Sequence, residues 1–278
     1  MQISENSVQQ FADRLEREGR SRGTAEKYLR DVRRFVLWLH GRELTRELAA
    51  AWREHLVQSG YAPVTVNSML SAVNHFLRFA GREDCKIRFL RIQRRVFREQ
   101  DRELTRADYR RLLDAAGNQG RERLHLLMET ICSTGIRVSE VRYITVEAAR
   151  QGRAEITLKG KIRTILLPSR LCRKLRKYAR AQKTASGEIF RTRSGKSLSR
   201  GQIWREMKDL CERAGVARSR VFPHNLRHLF ATLFYGACRD FVKLADILGH
   251  SSVNTTRIYL MTTGAEHARQ LERLGLVI

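Results

Sequence analysis

The sequence contains no run of about 18 apolar residues, so nothing in it reads as a membrane span. Its opening stretch, MQISENSVQQFADRLEREG, has no apolar signal region, and the expectation is a cytoplasmic protein that is not exported. Five cysteines (Cys85, Cys132, Cys172, Cys211 and Cys238) are odd in number, scattered, and never paired as CxxC. Neither a disulfide framework nor a zinc site is signalled, and most of the thiols are expected to be small buried groups in a reducing compartment. No D-x-D pair, HExxH motif or glycine-rich phosphate loop occurs, so no cofactor and no metal are expected. Acids are scarce beside bases: 29 Asp and Glu face 54 Lys and Arg, a net charge of +25. The bases run through both halves of the chain. That distribution points to a large polyanion, nucleic acid above all, against the plainer reading of a generally basic, solvated surface.

What is present is mostly helical periodicity. With 278 residues, 42% of them hydrophobic, the chain can build one large or two ordinary domains, each with a core. Apolar residues recur at helical spacing from about Ser7 to Glu18. They do so again in TAEKYLRDVRRFVLWLH, where Thr24 is the expected N-cap, in TRELAAAWREHLVQSG, and in PVTVNSMLSAVNHFLRFAG. Residues 91–104 are mostly charged and without apolar period, and read as a linker. The expected organisation is a helical domain over 1–90, the linker 91–104 and a second domain over 105–278. The second domain opens on Thr105 as N-cap. It contains a strand pair, RAEITL and RTILLP, around the basic turn KGKI, and then helices near 199–214, 224–236, 240–248, 252–260 and 264–274. The fold class is mainly α with a small β-hairpin (α+β).

Four separated pieces carry chemistry. STGIRVSE ends one helix and starts another with Arg137 in its first turn, and Arg137 and Glu140 share a face at i,i+3 spacing. LKGKIR places Lys159 and Lys161 at the hairpin tip. FPHNLRHLF starts a helix at Pro223, with His224 and Arg227 on one side and His228 as a rival for any histidine role. LGHSSVNTTRIYL carries His250 and, nine residues on, Tyr259. Taken singly, each has an ordinary alternative: a surface ion pair, a solvated turn, a basic helix start, a tyrosine in the core.

Together and in this order, TG-I-R-VSE at 134–140, Lys159, H-NL-R at 224–227, LGH at 248–250 and Tyr259 resemble the tyrosine recombinase (phage integrase) family. The resemblance covers roughly 103–278. It implies a tyrosine-recombinase catalytic domain there, and a SAM-like core-binding domain that clamps DNA in the N-terminal helices. The turn is about one residue shorter than the family's common form, which leaves Lys159 as the first choice and keeps Lys161 open. Leu229 stands where many relatives carry Ser or Thr. The segment LMTTG after Tyr259 also departs from the usual continuation.

The chemistry makes the pattern intelligible. A phosphodiester under attack accumulates negative charge on its non-bridging oxygens, and fixed cations can stabilise it. Arginine stays charged and offers a planar fork, so Arg137 and Arg227 are expected to clamp the phosphate. By the resemblance, Tyr259 is the nucleophile, His224 accepts its proton, Lys159 protonates the departing 5′ oxygen, and His250 hydrogen-bonds the phosphate. Glu140 orients a basic neighbour. A 3′-phosphotyrosyl intermediate stores the energy of the broken linkage, so strands rejoin without ATP. The implied activity is site-specific recombination of double-stranded DNA at inverted repeats, by a homo-tetramer or a hetero-tetramer with a paralogue. The tail TGAEHARQLERLGLVI would dock on a neighbouring protomer or on its own domain. Two domains in this length leave no room for a separate arm-site-binding domain, which makes the layout similar to Xer-type enzymes or small mobile-element integrases. Rivals are a type IB topoisomerase-like enzyme and an inactive DNA-binding accessory protein. Helices such as 66–79 and 199–213 are where base readout is expected.

Overall fold

The computed structural model describes residues 3, 5–92, 102–158, 161–249, 256, 272 and 273. The chain divides into two units, Met1–Arg94 and Arg95–Ile278. The first contains α1 (Glu5–Arg17), α2 (Arg22–Leu39), α3 (Arg46–Gln58) and α4 (Pro63–Phe79).

α2 begins earlier than its threonine suggests. The Ser21 carbonyl already accepts from Thr24 N at 2.8 Å and Ala25 N at 3.0 Å, and Ser21 is extended, so Ser21 occupies the N-cap. Thr24 lies inside the first turn, its hydroxyl 2.8 Å from that of Ser21. Thr45 caps α3 in the ordinary way, accepting from Leu48 N at 3.2 Å. The four helices enclose Phe35, Trp52, Leu56, Leu70 and Leu77 in one cluster and Val8, Phe11, Leu15, Val32 and Phe76 in another. Each such burial contributes about 1.5–3 kcal/mol before chain entropy is counted.

α4 is the central element and packs on both α2 and α3. Val66, Met69, Leu70, Ala72, Val73, Phe76 and Leu77 are all buried, and within 66–79 only Arg78 is exposed. Most of the circumference over 66–79 is core. α4 also carries two staples. Asn74 accepts from Ile87 N at 2.8 Å and donates to Ile87 O at 2.9 Å. Asn67 does the same with Leu90 at 2.8 and 2.9 Å. Seven residues apart, the two amides hold an extended segment along one helix face as a neighbouring strand would. Replacing Asn74 with Ala should cost about 1–3 kcal/mol, because Ile87 keeps its buried polar groups and loses their partner. Chemical denaturation checks this, with exposed Arg78→Ala as the near-neutral control.

The second unit runs α5 (Arg106–Asn118), α6 (Glu122–Thr134), a 3₁₀ turn Val138–Tyr143, and α7 (Val146–Gln151). The strands β1 (Arg153–Leu158) and β2 (Lys161–Leu166) follow, then α8 (Ser169–Ala181), α9 (Arg200–Lys208), α10 (Pro223–Cys238) and α11 (Phe241–Leu248). Thr105 caps α5 as expected, in a reciprocal box with Asp108: Thr105 Oγ1 accepts from Asp108 N, and Asp108 accepts from Thr105 N. α6 is the core helix, flanked by α5, α8 and α10. Leu112, Leu127, Ile131, Leu175, Met207 and Leu226 meet around it.

The strands are antiparallel, with Leu158 opposite Lys161 and Ile156 opposite Arg163. β2 therefore starts two residues before the expected RTILLP. Lys161 opens the strand rather than belonging to the turn. Lys159 and Gly160 lie outside the described residues. α9 ends at Lys208, short of the expected 214. Beyond it Leu210 N and Cys211 N bond three residues back, to Met207 O and Lys208 O, and the chain tightens into turns through Gly215. The Lys208 amine donates to the Arg218 carbonyl and so ties this turn to the approach to α10. α9 exposes Trp204 and Arg205. The helices expected over 252–260 and 264–274 lie outside the described residues but for Thr256, Glu272 and Arg273. Among the described residues no helix is long and apolar enough to cross a membrane.

Candidate active site

Two helix ends meet beside the start of α10. α6 stops at Gly135, at φ +66°, and α11 stops at Gly249, at φ +63°. Both stops leave backbone carbonyls without intrahelical donors. α10 starts between them, with Pro223 in its first turn, where the missing N–H costs nothing.

Arg227 connects the three. One guanidinium nitrogen, Nη1, donates to Gly135 O at 2.5 Å, and the other, Nη2, to Leu248 O at 2.8 Å. The side chain is 1% exposed. A buried cation is thus placed on the carbonyl ends of two helices, where the helix dipoles favour positive charge. Asn225 secures the start of α10 from the other side, donating to Arg102 O and Arg220 O, each at 2.7 Å.

Arg137 sits one residue earlier than the expected first turn. It is the extended residue ahead of the 3₁₀ turn, with φ −76° and ψ 151°. Glu140 is 1% exposed and turns back on it, accepting from Arg137 N at 2.7 Å and from Arg137 Nη1 at 2.9 Å. The guanidinium is thereby aimed by its own turn while 42% of its side chain remains exposed. His224 has an exposed ring, yet its pKa is pushed below the ordinary imidazole value. Desolvation is the main cause, and the charges of Arg227 and Arg137 push the same way. The shift favours the neutral imidazole, the form able to accept a proton. His228, the rival, has its ring 3.5 Å from Thr232 on the same helix.

The structure thus brings Arg137, Glu140, His224 and Arg227 to one place. Lys159, His250 and Tyr259 lie outside the described residues. Sequence reasoning missed Arg163 of β2. Its Nη2 donates to Glu140 Oε2 at 2.5 Å and its Nη1 to Ile247 O at 3.3 Å. Burial pushes the pKa of this guanidinium below its ordinary value and Glu140 opposes the shift. Arg163 shares a strand face with the buried Ile165 and Leu167, so a charge occupies a core position of the strand, which the apolar residues on both faces of KIRTILL hide in the sequence. Among the described residues no group of His, Cys, Asp and Glu is arranged to hold a metal ion.

Comparison with known proteins places the chain in a family. Residues 102–266 match the model of the phage integrase family, and residues 4–84 match the phage integrase N-terminal SAM-like domain. The chain is 30% identical to tyrosine recombinase XerA of Thermococcus kodakarensis, over 98% of this chain and 95% of the relative. Among solved structures it resembles XerH site-specific recombinase bound to difH substrate, with TM-score 0.70, 19% identity, and coverage of 96% of this chain and 84% of that one. It also resembles a lambda integrase tetramer bound to a Holliday junction, with TM-score 0.72, 19% identity, and coverage of 92% and 76%. The family match over 102–266 and the relative at 30% identity show that the chain belongs to the phage integrase family, as a Xer-like tyrosine recombinase.

Proposed function

We propose that this recombinase cuts and rejoins double-stranded DNA through a 3′-phosphotyrosyl bond to Tyr259. Arg137 meets the scissile phosphate from the exposed side. Arg227 supplies fixed positive charge from beneath. His224 accepts the phenol proton, His250 hydrogen-bonds the phosphate, and Lys159 protonates the departing 5′ oxygen. The observation that supports this most is Arg227: one guanidinium holds the carbonyls that precede both the Arg137 segment and the His250 segment. Such a fixed set of donors needs little reorganisation when charge develops on the phosphate. We assign the N-terminal helical unit to gripping the duplex. The +25 charge fits phosphate-dominated, salt-sensitive binding. The assembly proposed is a tetramer on paired inverted-repeat sites, by analogy with the integrase tetramer on its junction.

Covalent capture tests this reading. The protein and its Tyr259→Phe variant are incubated with fragmented genomic DNA of the source organism in the presence of a chelator. SDS-resistant adducts are recovered and their ends sequenced. Adducts at one short inverted repeat, absent with the variant, are expected. Equal adducts with both proteins would remove Tyr259 as nucleophile, and adducts scattered over all sequences would favour a topoisomerase-like activity.

A further inference from the structure

Glu140 is a buried carboxylate with two guanidinium neighbours. Its Oε2 accepts from Arg163 at 2.5 Å and its Oε1 from Arg137 at 2.9 Å. Exposure falls unequally: 42% of the Arg137 side chain, 16% of Arg163 and 2% of Glu140. With Arg137 alone, Glu140 would form a neutral pair, and little net charge would remain to meet a phosphate. With Arg163 added, the three groups sum to one positive charge, and the member that reaches solvent is Arg137.

Arg163 also acts on α11. It donates to Ile247 O, next to the Leu248 carbonyl that Arg227 holds, so two arginines cap consecutive carbonyls at this helix end. Its side chain lies flat against Gly249. A Cβ there would come within 2.5 Å of Arg163 Cδ and 2.6 Å of its Nη1. Gly249 thus answers two needs at once, the left-handed turn at φ +63° and the close passage of Arg163.

We propose that Arg163 is a positioning residue for strand cleavage: as the counter-charge of Glu140 it leaves Arg137 oriented and positive, and through Ile247 and Gly249 it fixes the segment that leads into His250. The consequence for cleavage rests on the recombinase reading above.

The test is a double-mutant cycle on the full chain with Arg163→Met, Glu140→Gln and the double variant, and with Arg163→Lys as the conservative change. Two readouts are taken. The first is the single-turnover rate of adduct formation, at saturating concentrations of a nicked duplex carrying the captured site. R163M is expected to be about 100-fold slower than wild type, with DNA affinity changed less than about threefold. R163K should be slowed less, since it keeps the charge without the fork. The double variant should recover roughly tenfold over R163M, because without the Glu140 charge Arg137 no longer needs the second cation. A residue that merely packed would give a double variant no faster than R163M. That result, or an R163K no better than R163M, or an R163M at the wild-type rate, overturns the proposal.

The second readout is thermal unfolding without DNA. Glu140→Gln should lower the Tm of wild type and raise that of R163M, which otherwise carries a buried acid with half its partners gone. If it lowers both equally, the counter-charge role is overturned. Wild-type protein that forms no adduct would instead refute the assignment of Tyr259, and the unfolding cycle would still judge the charge pairing. If R163M does not fold, the same cycle with the uncharged Arg163→Gln in its place carries the test, with the same ordering expected.

Discussion

The Arg227→Ala protein should form covalent adducts about 10³-fold more slowly than wild type and should also unfold more readily, by roughly 3 kcal/mol or more. Both losses come from one side chain. Arg227 is 1% exposed and spends its two terminal nitrogens on Gly135 O and Leu248 O. Removing it strands two buried carbonyls at helix ends, each costing about 1–3 kcal/mol, and opens a cavity between α6, α10 and α11. It also releases the two segments that carry Arg137 and His250. Arg227→Lys separates charge from geometry: one ammonium restores the cation but cannot bridge both carbonyls as the fork does. It should recover part of the stability and little of the rate. Denaturant unfolding and single-turnover cleavage of the three proteins measure this. An Arg227→Ala protein as stable as wild type would mean that the arginine is not what ties the helix ends together.

The second large effect is expected at Gly135, which precedes Arg137 by two residues. Its φ is +66°, and a Cβ placed there would lie 2.5 Å from Phe230 Cδ1 and 3.0 Å from Leu248 Cδ2. Relief needs a shift of the Phe230 ring, which packs with Ala231, Leu244 and Leu248, and Leu248 itself is fully buried. Gly135→Ala should therefore pay twice: about 1–2 kcal/mol for the left-handed conformation and about 1–3 kcal/mol for overpacking. The comparison is Gly120→Ala, at φ +64° with nothing within 4 Å of the added carbon, where only the first cost applies. Equal Tm losses at the two sites would contradict the close packing of α6, α10 and α11.

What the sequence made legible follows from where the signals are local. Gly135, Pro223 and Gly249 mark helix ends by backbone chemistry alone, which places Arg137, His224 and Arg227 beside those ends, while the motif order and its family resemblance single them out. Thr105 was readable as a cap because its partner Asp108 stands three residues on. Thr24 misled because a favourable cap residue stood just inside a helix whose first carbonyl, Ser21, has a hydroxyl side chain of its own. Arg163 was missed for a tertiary reason. KIRTILL offers apolar residues on both strand faces, and Ile162 and Leu166, the obvious core candidates, are 74% and 77% exposed. Only the register against β1 shows that the arginine's face is the inner one. Likewise, nothing in HNLR indicates that its arginine lies under two helix ends. That depends on α6 and α11 converging from opposite ends of the domain. α4 reads in sequence as an amphipathic helix, and its packing against both α2 and α3 is what buries most of its circumference.

The central claim is that Tyr259 attacks a DNA phosphate and keeps the 3′ side. The most direct measurement is tandem mass spectrometry of the trapped adduct after nuclease trimming. The peptide spanning Tyr259 should carry a nucleotide joined through its 3′-phosphate, and the released strand should end in a free 5′-hydroxyl. A nucleotide on any other residue, or a 5′-phosphate linkage on Tyr259, would contradict the account.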